Sequence, residues 1–188
     1  MFHDILCNWC MEINMEKFHN ELKNLSTFKL ILISIASMFV VQLLITPFYR
    51  LYPINSADSV VYDMYKLDTF ANFLRRLFFT GIIHPIIETL IFQTLIIRVV
   101  LILTKKIFMK ESLITYLIPI VISSIAFGYM HFYGYNSIVK IINTFLLGLI
   151  FAYTYVVAYT SGKKATRCVI CVHAIWNSYA VILNYLIV

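Results

Sequence analysis

The chain has 188 residues, of which 61% are hydrophobic and only 13% charged, with a mean hydropathy of +0.85 and a formal net charge of +6. A soluble domain carries about 25% charged residues, so the composition excludes an ordinary soluble fold and points to a one-domain, polytopic membrane protein. The positive balance is not a nucleic-acid signal: the basic residues lie in short loops between apolar runs, where they fit the cytoplasmic bias of Lys and Arg.

In chain order, about 27 mixed residues come first, with no small-residue cleavage site after the apolar run that follows, so the N-terminus does not read as a cleavable signal peptide. Five apolar segments are long enough to be membrane helices, because only a helix satisfies its own backbone groups within one lipid-embedded segment. The first spans about Phe28 to Thr46 and is expected to stop at Pro47. The second spans about Leu77 to Leu103, the third Ser112 to Phe132, the fourth Ile138 to Thr160 and the fifth Cys168 to Val188. Between the first two, Val60, Val61, Met64, Leu67, Phe70, Phe73 and Leu74 recur at helical spacing, which predicts an amphipathic helix at the interface over 55–76. The expected organisation is therefore a terminal segment (1–27), a first membrane helix (28–46), a loop carrying the interfacial helix (47–76) and a core (77–188).

Loop charges predict the orientation. Lys17, Lys23 and Lys29 precede the first helix, Lys105, Lys106 and Lys110 follow the second, and Lys163, Lys164 and Arg167 follow the fourth. With five helices these regions share one side, which should be the cytoplasm, with the N-terminus in and the C-terminus out. Cys7-x-x-Cys10 and Cys168-x-x-Cys171 are spaced like zinc ligands, but a small apolar residue equally suits a membrane helix, and no metal or other cofactor is expected.

Three polar signatures interrupt the apolar core: Glu88-Thr89-x-x-x-Gln93, Phe127-x-x-x-His131 and His173-x-x-x-Asn177. An ionisable group inside a bilayer is costly and is usually kept for function. Residues four apart share a helix face, so Phe127 points with His131 and His173 with Asn177. A carboxylate beside an imidazole can hold and deprotonate water, with Glu88 as base and a histidine orienting the water. A second histidine and an amide can donate hydrogen bonds to the oxyanion of a tetrahedral intermediate. Singly, each residue could equally be a polar contact between helices. His84, four before Glu88, could line the site or simply end the preceding segment at Pro85.

The order and spacing of the three signatures resemble the CAAX protease and bacteriocin-processing family of intramembrane glutamic endopeptidases, also called the Abi family, whose pattern is E-E-x-x-x-R, F-x-x-x-H and H-x-x-x-N. The resemblance runs from about Arg76 to the C-terminus and includes the bridge Phe145-Leu-Leu-Gly148 and Thr160-Ser-Gly162. It implies an all-α membrane fold with an Abi/CAAX-protease-like core and metal-independent peptide-bond hydrolysis. Glu88 and His131 would activate water, and His173 and Asn177 would form the oxyanion site. The implied partners are the lipid bilayer and a membrane-associated peptide or protein, such as a bacteriocin or pheromone precursor or a CAAX-like substrate. The family's second glutamate is Thr89 here and its arginine is Gln93. These two stack on one face about 100° from Glu88. Exchanging both charged partners for neutral groups avoids one unpaired buried charge and alters whatever the arginine does for substrate. A non-catalytic immunity or binding protein of the same fold, and a proton-relay transporter, are the other readings of these residues, though no two halves of the chain resemble each other as transporter repeats do.

One geometric difficulty is visible in advance. Full-length antiparallel helices would hold His131 and His173 near opposite ends, so one helix must be short, offset or broken, and Gly134 is a candidate break.

Overall fold

The computed structural model describes residues 17–51, 69–108, 113–131 and 137–187. Six helices account for nearly all of them: α1 (17–24), α2 (Thr27–Leu51), α3 (Phe70–Phe108), α4 (Leu113–Met130), α5 (Ile138–Thr160) and α6 (Ala165–Ile187). No strand occurs among the described residues, and α2, α3, α5 and α6 are long and apolar enough to cross a membrane, with α4 a shorter apolar helix. The protein is an all-α polytopic membrane protein.

The exposed surface is strongly apolar, with Leu43, Leu44, Leu95, Ile102, Ile125 and Ile142 among many large side chains facing outward. Such a surface suits lipid rather than water. The most buried helix is α5, whose Phe151, Ala152, Tyr155, Val156, Val157 and Ala158 are at most 1% exposed. It is the central post against which α2, α4 and α6 pack. Small residues set the closest approaches. A Cβ at Gly148 would lie 3.2 Å from the Ser124 Cα, and one at Gly128 would lie 3.2 Å from the Ile141 carbonyl. The α4–α5 seam is thus a small-residue contact of the kind membrane helices use in place of a hydrophobic drive. After α5, Gly162 takes a φ of 71° while Lys163 N–H bonds the Ala158 carbonyl (2.8 Å) and Gly162 N–H that of Tyr159 (3.2 Å). This is a Schellman stop, and it turns the chain tightly into α6.

The fourth membrane segment falls where the sequence predicts it, and the others shift by a few residues. The expected stop at Pro47 does not occur: α2 continues to Leu51, because a proline near the end of a long apolar helix forfeits a single backbone bond. Phe70, Phe73 and Leu74 do not belong to a separate interfacial helix. They form the first turns of α3, started by Thr69, whose hydroxyl accepts the Asn72 N–H at 3.1 Å. The rest of that expected helix, like Gly134, Cys7 and Cys10, lies outside the described residues.

Nor does Pro85 end a segment. It is carried inside α3 by wide turns on either side of it, π-helical at Phe79–Ile83 and again at Thr89–Ile96. In the first, the His84 N–H reaches back five residues to the Phe79 carbonyl. Pro85 has no N–H to offer the Thr80 carbonyl five residues before it. Asn177 fills that need from α6, its Nδ2 donating to the Thr80 oxygen at 3.1 Å.

Candidate active site

Helix registers bring the three signatures to one level. Helices α3 and α4 run antiparallel: the Ser123 hydroxyl donates to the Phe92 carbonyl (2.9 Å), and the rings of Phe92 and Phe127 meet edge-on at 5.6 Å. Glu88 lies four residues before Phe92 and His131 four after Phe127, so the two arrive at the same height. Helix α6 is antiparallel to α3, tied by the Thr94 and Thr166 hydroxyls at 3.1 Å and by the Asn177 amide on Thr80. That register sets His173 beside Glu88 and Thr89. The geometric difficulty resolves through α4, which is short and ends at Met130, so that His131 sits in the turn just past it.

His173 is the centre of the arrangement and is 2% exposed. Its Nε2 lies 3.4 Å from Glu88 Oε2 and its Nδ1 lies 3.3 Å from the Thr89 hydroxyl. A neutral imidazole has one N–H and one lone pair. With Glu88 ionised, Nε2 carries the hydrogen toward it and Nδ1 accepts from Thr89. Three side chains from two helices thus meet at one ring, through a hydrogen bond to Thr89 and a 3.4 Å charge contact with Glu88. The ring is held flat by Phe151, tilted at 4.4 Å, and by the edge of Phe127 at 5.7 Å. Phe127 is 2% exposed and also touches the His131 ring at 4.7 Å, so it is the apolar wedge between the two histidines.

His131 has its Nδ1 2.8 Å from the Phe127 carbonyl. A carbonyl only accepts, so Nδ1 carries the hydrogen and Nε2 keeps its lone pair. His131 and Glu88 are half-buried, whereas His173 and Thr89 are buried. His84 is also half-buried and lies within electrostatic reach of His173, as does His131. The wide turns around Pro85 therefore put His84 at the margin of the site rather than at the end of a segment.

Thr89 and Gln93 are both buried, each 0% exposed. Their partners differ from the expectation of a matched pair: Thr89 bonds His173, and neither Nε2 nor Oε1 of Gln93 has a hydrogen-bonding partner among the described residues. A buried amide left unpaired costs about 1–3 kcal/mol. Gln93→Met, which keeps the length and removes the amide, is expected to raise the Tm of the detergent-solubilised protein by a few degrees. A lowered Tm would show that the amide is bonded in the folded protein.

Sequence reasoning missed Lys140, in the first turn of α5, which stands at the level of Glu88 and His131 and whose charge acts on both. The available signal was a lone cation within an apolar helix, the same signal that singled out Glu88. It was absorbed instead into the general basicity of the loops. Cys168 is buried and Cys171 exposed, both as free thiols.

The family model described as type II CAAX prenyl endopeptidase Rce1-like matches residues 70–179, more than half of the chain. The chain belongs to this family. No curated protein and no solved structure matches it. The matched stretch begins with the first turn of α3 and ends two residues beyond Asn177, so it contains all three signatures. The Rce1-like family is one of CAAX-type intramembrane proteases, which are hydrolases, and the fold agrees with that class: a helical membrane bundle with a carboxylate, three histidines and an amide on facing helices.

Proposed function

We propose that this Rce1-like protein is a glutamic intramembrane endopeptidase that cleaves a membrane-associated peptide or protein without a metal. The observation that carries the reading is the Thr89–His173–Glu88 contact chain, level with His131 inside a membrane bundle. Glu88 and the bare Nε2 of His131 hold a water between them. Glu88 takes one of its protons as the oxygen attacks the substrate carbonyl carbon. The carbon–nitrogen bond then breaks as Glu88 returns the proton to the leaving amine.

In this scheme His173 aims Glu88, since both its nitrogens are engaged, and so the role differs from the oxyanion donor that the resemblance implied. Asn177 uses one amide hydrogen on Thr80 and retains a second for the oxyanion. The natural substrate class is a bacteriocin- or pheromone-type precursor, or a CAAX-like protein, in a bacterial cell membrane. Lys163 Nζ bonds the Lys23 carbonyl, which gathers the basic residues of α1 and the α5–α6 turn at one end of the bundle. By the charge bias this end is cytoplasmic.

The test is reconstitution in liposomes with two membrane-anchored peptides, one carrying a prenylated CAAX terminus and one an internal cleavage segment, followed by mass spectrometry. Cleavage of at least one, unchanged by EDTA and phenanthroline, is expected. Inactivation by chelator with rescue by zinc would replace this reading with a metalloprotease. Folded, inert protein with both peptides would favour a non-catalytic immunity or binding protein with the same fold.

A further inference from the structure

We infer that Lys140 is a positioning residue for the proposed reaction, an ammonium from α5 that pairs with the Glu88 carboxylate from α3 and holds it beside His131. The inference rests on the proposed role of Glu88 as base. Its first support is register. Gly128 meets Phe145 and Ile141 across the α4–α5 seam, with a Cβ there 3.0 Å from that of Phe145. His131, three residues beyond Gly128 on an antiparallel helix, therefore lies beside the first turn of α5, where Lys140 is. Glu88 stands at the same level through its own pairing with α4.

The second support is facing. Lys140, Thr144, Leu147 and Phe151 follow at intervals of four, three and four residues and so form one stripe of α5. Phe151 at the inner end of that stripe touches the His173 ring at 4.4 Å, so the stripe faces the site. Asn143, off the stripe, faces away and bonds Tyr49 of α2 at 3.0 Å. The third support is charge. Lys140 and Glu88 interact electrostatically, as do Lys140 and His131. Arg98, exposed farther along α3, instead donates to the Tyr155 hydroxyl at 2.9 Å. Among the described residues, His84, His131 and His173 are the other titratable groups around the site.

A carboxylate within a bilayer requires such a partner, and removing one member of a buried pair is far more harmful than removing both. The functional part follows from geometry: His173 fixes one carboxylate oxygen from α6, and an ammonium from α5 fixes the orientation of the group across the site.

The experiment is a double-mutant cycle with Lys140→Met and Glu88→Gln, read by Tm in detergent, together with Lys140→Met and Lys140→Arg read by peptide turnover. Lys140→Met alone should lower Tm by about 5 °C or more, and Glu88→Gln in that background should restore most of the loss. Additive Tm changes would overturn the pairing whatever the enzyme cleaves, so this arm is independent of the proposed function. In turnover, Lys140→Met should lower kcat by about 100-fold with KM little changed, as misplacement of a reacting group does, and Lys140→Arg should recover much of it. A rise in KM at unchanged kcat would overturn the positioning role and make Lys140 a substrate contact. Absence of turnover in the unaltered protein with coupled Tm changes would leave the pair standing and remove the reaction instead.

Discussion

Glu88→Ala and His131→Ala are each expected to reduce peptide cleavage to background while leaving membrane insertion and helix content intact. In the proposed scheme the two side chains hold one water between them: the carboxylate removes its proton, and the bare Nε2 of His131 accepts its other hydrogen. Neither alone can both orient and activate that water, so losing either disables the unit. The double variant should therefore be little worse than the single ones. Both residues are half-buried, and removing Glu88 should cost stability through Lys140 without unfolding the bundle. The measurement is turnover of a membrane-anchored peptide by purified, reconstituted protein. Substantial turnover by Glu88→Ala would exclude the glutamate as the base.

His173→Ala carries the second large effect. It removes the ring that touches both Glu88 and Thr89, and a loss of about 100-fold or more in kcat is expected, the scale seen when one preorganised donor is removed. Thr89→Val tests the same chain more gently, since it keeps the shape and removes only the hydroxyl that fixes the His173 tautomer. One neutral hydrogen bond corresponds to about a 5- to 10-fold change in rate, and Thr89→Ser should restore it. If Thr89→Val were silent while His173→Ala was severe, the imidazole would be held by its aromatic neighbours Phe151 and Phe127 and not by the hydroxyl.

The membrane class, the rough helix positions and the signatures on α3, α4 and α6 were legible because apolar length and buried polar residues are local signals. Their convergence was partly legible: the need for a short helix could be argued from chain direction alone, and α4 is that helix. What could not be read is what depends on departures from the ordinary helical repeat. Wide turns at Phe79–Ile83 and Thr89–Ile96 leave no mark on hydrophobic spacing, yet they carry α3 through Pro85 and leave the Thr80 carbonyl for Asn177. The same limit hides the contacts that His173 makes. Its partners Glu88 and Thr89 are adjacent in sequence and reach opposite nitrogens of one ring, an arrangement that spacing on a regular helix does not suggest. Phe70, Phe73 and Leu74 were assigned to an interfacial helix because amphipathic spacing looks the same whether a helix lies on the membrane or is entering it.

The shortness of α4 has a consequence for the lipid around it. Its apolar run, Ile114–Met130, spans about 26 Å at 1.5 Å per residue, less than the roughly 30 Å hydrocarbon thickness of an ordinary bilayer. A helix that falls short makes the surrounding leaflet pinch inward, and the cost of doing so is small for a few ångströms. His131 stands at one tip of that run. In the proposed reaction, a headgroup layer dipping at that tip would bring water to the carboxylate and imidazole, so a scissile bond at the lipid surface need not be drawn to the middle of the membrane.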